Sequence, residues 1–240
     1  MLHYLFEYFQ SIYDFPGSGL FQYISFRAAL AVITSLLVSL VFGGRIIRLI
    51  QRKQIGEQIR KLGLRGEETK KGTPTMGGLI ILSAILIPTL LFAKLDNIYI
   101  QIMFVSTLWL GFIGFIDDYI KVFKKDKQGL AGRFKILGQV GLGLIVGLVM
   151  VFHTDIVVKE EVPISSEIEL LSSVNLAKKS SKTTTPFLKN NEFDYQFLTS
   201  WMGEGAKKYT WILFVLIVVV IITAVSNGAN MTDGLDGLAT

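Results

Sequence analysis

The 240-residue sequence contains no cysteine, so no disulfide braces it and no thiolate can ligate a metal. Charge is also scarce. Only 18% of residues are Asp, Glu, Lys or Arg against 51% hydrophobic ones, too few to clothe a single water-soluble domain in a polar shell. Residues 1–19 hold Glu7 and Asp14 but neither Lys nor Arg, so they lack the basic start of a cleavable signal peptide. His3 and His153 stand near the ends of apolar stretches without partners in sequence, and neither is read as catalytic or metal-binding.

What is abundant is long apolar runs, each near the ~20 residues that a ~30 Å hydrocarbon core requires. They fall at about 20–42, 76–95, 98–116, 134–152 and 210–225. The expected fold class is therefore all-α: one polytopic transmembrane helix bundle over residues 1–240 with about five spanning helices. A formal charge of +5 could suggest nucleic acid, but the basic residues gather in two loops between spans. Residues 44–75 carry Arg45, Arg48, Arg52, Lys53, Arg60, Lys61, Arg65, Lys70 and Lys71, and residues 117–133 carry Lys121, Lys124, Lys125, Lys127 and Arg133. Positive-inside bias makes both loops cytoplasmic, with the N-terminus outside and the C-terminus inside, and no nucleic-acid partner is expected. Residues 154–209 read as a polar, low-complexity external loop, closed by a headgroup-level belt of Trp201, Tyr209 and Trp211. Arg27, near the start of the first span, is expected to snorkel. Gly143 and Gly147 predict close helix packing, because small residues let membrane helices approach one another.

Three polar stretches could carry chemistry. The third span ends in Asp117 and Asp118, and charge beside hydrocarbon costs several kcal/mol unless it is paired, hydrated or metal-bound. Lys121 and Lys125 follow at one and two helical turns, where they can attract phosphate or form i,i+4 pairs. The second stretch, Lys70-Lys71-Gly72-Thr73-Pro74-Thr75-Met76-Gly77-Gly78, offers ammonium groups, hydroxyls and backbone N–H groups to a phosphate, although its order is not that of a P-loop. The third runs from Asn227 to Thr240; as a helix it would place Asp233 and Asp236 about 60° apart with Asn230 beside Asp233. Such amide and carboxylate oxygens suit a hard cation, since Mg²⁺ takes few protein ligands together with phosphate oxygens and water. All three stretches are expected on one membrane face, as joint action on a charged headgroup substrate demands. Phosphoryl transfer fits that arrangement best.

Together, Lys71-Gly72-Thr73-Pro74-Thr75-Met76-Gly77-Gly78, Gly114-Phe115-Ile116-Asp117-Asp118-Tyr119-x-Lys121 and Asn230-Met231-Thr232-Asp233-Gly234-Leu235-Asp236-Gly237-Leu238-Ala239 resemble the phospho-N-acetylmuramoyl-pentapeptide transferase family. The resemblance implies transfer of phospho-MurNAc-pentapeptide from UDP-MurNAc-pentapeptide to undecaprenyl phosphate, giving lipid I and UMP, with Mg²⁺ as cofactor. It also implies peptidoglycan synthesis at the bacterial inner membrane, contact with membrane lipid, and room for a homodimer. Carried over by residue, it makes Asp117, Asp118, Lys70 and Asp233 catalytic, with Asp117 the proton acceptor or orienting base for the prenyl phosphate oxygen. Thr75, Lys121, Lys125, Asn227, Asn230 and Asp236 become substrate-binding, while Asn230, Asp117 and Asp118 become metal ligands. A single displacement and a route through an aspartyl-phosphate both remain open.

Two other readings compete. One is a sister enzyme passing an N-acetylhexosamine phosphate to the same lipid, and the other is a transporter with acids at the bilayer midplane. Members of the resembled family continue through several more spans, which supply a further acid at the metal and a histidine-rich motif. The chain is thus expected to be an N-terminal fragment, and the 154–209 loop to have no catalytic part. The purified 240-residue chain should make no lipid I from UDP-MurNAc-pentapeptide and undecaprenyl phosphate; measurable product would refute that expectation.

Overall fold

The computed structural model describes residues 1–13, 17–53, 76–124, 126, 129–159, 177–178, 182–185, 192–200 and 203–233. Seven α-helices occur among them: α1 (Leu2–Tyr13), α2 (Ile24–Lys53), α3 (Gly78–Phe92), α4 (Ile98–Phe123), α5 (Gly132–Phe152), α6 (Gln196–Ser200) and α7 (Thr210–Asp233). Segments of α2, α4, α5 and α7 are long and apolar enough to cross a membrane, whereas α3 is a shorter apolar helix. The helical class is as expected, and the second expected span corresponds to α3. The polar loop is not wholly irregular: β1 (Val158–Lys159) pairs antiparallel with β2 (Ala177–Lys178), and β3 (Lys182–Thr184) with β4 (Glu192–Asp194).

The chain divides into two compact units, Met1–Lys135 and Ile136–Thr240. In the first, α2 and α3 form the most extensive helix pair. The sharp reversal between α3 and α4 ends at Asn97, whose side-chain oxygen accepts from the N–H groups of Tyr99 (2.9 Å) and Ile100 (3.4 Å), satisfying donors that the first turn of α4 would otherwise leave bare. Tyr4 of α1 donates its hydroxyl to the Asp96 carboxylate and accepts from the Asp96 N–H at 3.1 Å, so α1 is tied to this reversal. That hydroxyl holds the Asp96 carboxyl below the usual carboxylate range. His3 is buried with Nδ1 3.1 Å from the Phe21 carbonyl oxygen.

Arg27 departs from expectation. Instead of snorkelling, it is buried at 7% exposure and directs Nη1 to the Phe92 carbonyl oxygen at 3.4 Å. The reason is its position one turn inside α2, beside the C-terminal end of α3, where unpaired carbonyls and the helix dipole favour a cation.

In the second unit α5 and α7 form an antiparallel seam. A Cβ on Gly143 would lie 2.7 Å from the Cα of Val219, and one on Gly147 would lie 3.2 Å from the Cα of Val215. The glycine pair therefore packs helix against helix, as its spacing predicts. One turn before Gly143 the seam becomes polar. Gln139, buried, donates from Nε2 to Ser226 Oγ at 3.0 Å and accepts at Oε1 from Asn227 Nδ2 at 2.8 Å. The contacts step by four residues along α5 and by four and then seven to eight along α7, so one stripe of α5 meets one stripe of α7. Tyr195 and Trp211 add edge-on ring contacts, to Phe214 and Phe152 respectively.

The seam predicts a specific sensitivity. Gly143→Leu should destabilise the protein in detergent by about 1–3 kcal/mol, because the added side chain meets Val219 backbone rather than a movable side-chain tip. Gly44→Ala in α2, where a Cβ meets nothing within 4 Å, should leave the thermal midpoint unchanged or slightly raised. Equal midpoints for Gly143→Leu and the parent would show that the seam tolerates separation.

Candidate active site

The site begins with an extension of α4. Sequence places the end of the third span at residue 116, but the helix continues to Phe123, so Asp117 and Asp118 ride on its surface two turns before its end. The difference has a local cause. Tyr119, Ile120, Lys121, Val122 and Phe123 contain neither glycine nor proline, and the ion pair from Asp117 to Lys121 spans one turn. Adjacent residues on a helix diverge by about 100°, so the two carboxylates meet different surroundings.

Asp117 is 7% exposed and is met by three donors within its own unit. Lys121 Nζ lies 2.5 Å from Oδ2 and Lys135 Nζ 2.9 Å from Oδ1, while the Leu130 N–H donates to Oδ1 at 2.8 Å. A buried carboxylate alone costs several kcal/mol, and two ammonium groups plus an oriented amide offset that cost. The turn leading into α5 is shaped to deliver the amide: Gly129 has φ +68° and donates its N–H to the Asp126 carbonyl oxygen at 3.1 Å. Sequence carries no distinctive signal for either Lys135 or Leu130: Lys135 is one more base close to a span, and a backbone amide has no residue-type mark.

Asp118 instead lines a cavity of about 290 Å³ between the start of α3 and the middle of α4. Its walls are chiefly apolar, with Met76, Leu79, Leu82 and Phe115 among them, and Gly78 and Gly114 keep them low. A Cβ at either glycine would meet nothing within 4 Å. Met76 is buried with φ +70°, a backbone state costing roughly 1–2 kcal/mol for a residue with a Cβ. The cavity thus combines one carboxylate with a hydrocarbon wall.

The other expected residues are placed less fully. Asn227 belongs to the α5–α7 seam, where its amide also donates to the Thr223 carbonyl oxygen at 2.9 Å. Asn230 is exposed on α7, one turn before Asp233, the last residue of that helix. Lys70, Thr75, Lys125 and Asp236 lie outside the described residues, as does the side chain of Asp233. Among the described residues no group of three or more His, Cys, Asp or Glu side chains gathers to hold a metal. Asp117 and Asp118 nonetheless suit a hard cation in donor type. A carboxylate offers about four lone-pair sites, and those of Asp117 receive three donors, so Oδ2 keeps some acceptor capacity.

A family model described as glycosyl transferase family 4 matches residues 100–240, and one described as phospho-N-acetylmuramoyl-pentapeptide-transferase signature 1 matches residues 70–82. A protein of Flavobacterium psychrophilum named phospho-N-acetylmuramoyl-pentapeptide-transferase is 57% identical over 245 residues, covering 100% of this chain and 60% of that relative. Relatives of the same name from Parabacteroides distasonis (59% over 241 residues) and Bacteroides fragilis (51% over 243) are likewise matched by 100% of this chain over 57% of their own lengths. The chain thus spans somewhat under two thirds of the curated relatives it matches. By its family match across α4, α5 and α7, and with the transferase signature at the start of α3, this chain belongs to glycosyl transferase family 4.

Proposed function

We propose that the protein carrying this chain transfers phospho-MurNAc-pentapeptide from UDP-MurNAc-pentapeptide to undecaprenyl phosphate, giving lipid I and UMP. The observation that carries the reading is Asp117 and Asp118 themselves: a doubly cation-paired, buried carboxylate next to a second one on an apolar cavity, in a chain with the transferase signature. The relatives' name and the signature supply the sugar and peptide; the cavity beside Asp118 supports a lipid-linked acceptor.

The products define the bond chemistry. An oxygen of undecaprenyl phosphate bonds to the phosphorus that bears the sugar, the bridge between the two phosphates of the UDP-sugar breaks, and UMP leaves with that bridging oxygen. Asp117, held in one orientation by Lys121, Lys135 and the Leu130 amide, positions the attacking phosphate and accepts its proton where one is present. Lys121, partly exposed at 39% of its side chain, adds positive charge at the same point and draws phosphate in. Lys70, Thr75 and Lys125 contribute further phosphate contacts, and Asn227, Asn230, Asp233 and Asp236 serve the sugar nucleotide.

A Mg²⁺ ion would be held by Asp117 and Asp118 and would supply neutralisation of phosphate charge. The membrane is the bacterial inner membrane, with the basic loops and the reaction on the cytoplasmic face, and a homodimer is the proposed assembly. This orientation rests on loop charge.

In the full-length protein carrying this chain, Asp117→Asn and Asp118→Asn should each lower lipid I formation by about 10²- to 10⁴-fold, with folded yield near the parent's. The assay follows radiolabelled UDP-MurNAc-pentapeptide into a butanol-soluble product, with UDP-N-acetylglucosamine run in parallel. Parent-like turnover by Asp117→Asn would remove this carboxylate from the chemistry. Preferential use of UDP-N-acetylglucosamine would reassign the substrate.

A further inference from the structure

Gly129 is required twice over by the geometry around it. Its φ of +68° lies in the left-handed region that glycine adopts without cost, and that asparagine tolerates. Independently of φ, a Cβ at this position would lie 2.5 Å from Asp117 Oδ1, 2.7 Å from Lys121 Cε and 3.1 Å from Lys121 Cγ. The neighbour it would strike is the oxygen that receives both the Leu130 amide and Lys135. Gly129 is buried, so the turn cannot simply swing into solvent to make room. Any side chain here must push the carboxylate off its donors or lift the turn that carries one of them.

We propose that Gly129 is a positioning residue of the phosphoryl-transfer centre: its missing side chain lets the turn seat the Leu130 N–H on Asp117 and fixes that carboxylate in one rotamer. The proposal rests on the reading of Asp117 as the reacting carboxylate. Lys121 reaches Asp117 from the same helix, so it restrains the rotamer only through a flexible four-carbon stem. The Leu130 amide is rigid, and it comes from a segment thirteen residues away in sequence. Lys135 reaches the same carboxylate through an equally flexible stem, so orientation depends on the turn more than on either lysine, and a displacement near 1 Å of a reacting group is enough to cost about a hundredfold in rate.

The test uses Gly129→Ala, Gly129→Asn, Gly132→Ala and Asp117→Asn in the full-length protein carrying this chain. Gly129→Asn tolerates the left-handed backbone but keeps the Cβ, and so separates the contact from the φ requirement. Gly132→Ala adds a Cβ where nothing lies within 4 Å and should behave as the parent. Both Gly129 variants should lose roughly tenfold to a hundredfold in kcat while KM for UDP-MurNAc-pentapeptide stays within about threefold. Their folded yield should match the parent's, and the Leu130 amide should exchange faster in deuterium-exchange measurements. Parent-like kcat in Gly129→Asn overturns the inference. So does a fall in activity that only tracks loss of folded protein, since Gly129 would then be a folding residue. If Asp117→Asn is inactive while Gly129→Asn works normally, only this inference fails; if Asp117→Asn itself works normally, the reading of Asp117 fails with it.

Discussion

A carboxylate buried at 7% exposure near the end of an apolar helix is tolerable only because Lys121, Lys135 and the Leu130 amide converge on it, and much of the local architecture follows from that requirement. The helix must run one turn past Asp117 so that Lys121 can fold back along its own face. The chain must then turn sharply enough to return an amide to Oδ1, and it must restart a helix at once so that Lys135 arrives on the same oxygen. Gly129 is the residue that this path leaves no room to replace. Removing one partner of such a group leaves charge uncompensated in a low-dielectric setting, which is costlier than losing an ordinary hydrogen bond.

The α5–α7 seam rests on a different constraint. Between helices in hydrocarbon there is little hydrophobic driving force, so close packing and interhelical hydrogen bonds take its place. Gly143 and Gly147 allow backbone approach, and Gln139, Ser226 and Asn227 satisfy one another where the seam turns polar. The Asn227 amide is engaged across the helix pair, donating to Gln139 of α5 as well as to the Thr223 carbonyl oxygen one turn back.

The two aspartates divide their surroundings in a way their adjacency conceals. Asp117 is surrounded by cations and an amide, whereas Asp118 borders a cavity whose wall is mostly hydrocarbon. One carboxylate is thereby held still, and the other sits where an amphiphilic ligand can enter.

Much of the fold was legible because hydrocarbon imposes a simple rule: a helix must stay apolar for long enough to cross. The apolar runs and the packing role of Gly143 and Gly147 were open to that reasoning. Helix ends were less so, since α2, α4 and α7 outlast their apolar segments once ion pairs and polar turns can continue them. The inward turn of Arg27 depended on the end of α3 being near, which no local pattern contains. Composition and order therefore determined by themselves that the chain is helical and membrane-embedded, because that follows from the cost of placing polar groups near hydrocarbon. Only the tertiary structure decided which donors hold Asp117, which way Asp118 faces and where Asn227 is engaged. Those outcomes depend on groups distant in sequence meeting in space, and on a backbone amide and an absent Cβ that leave no distinctive mark on a sequence.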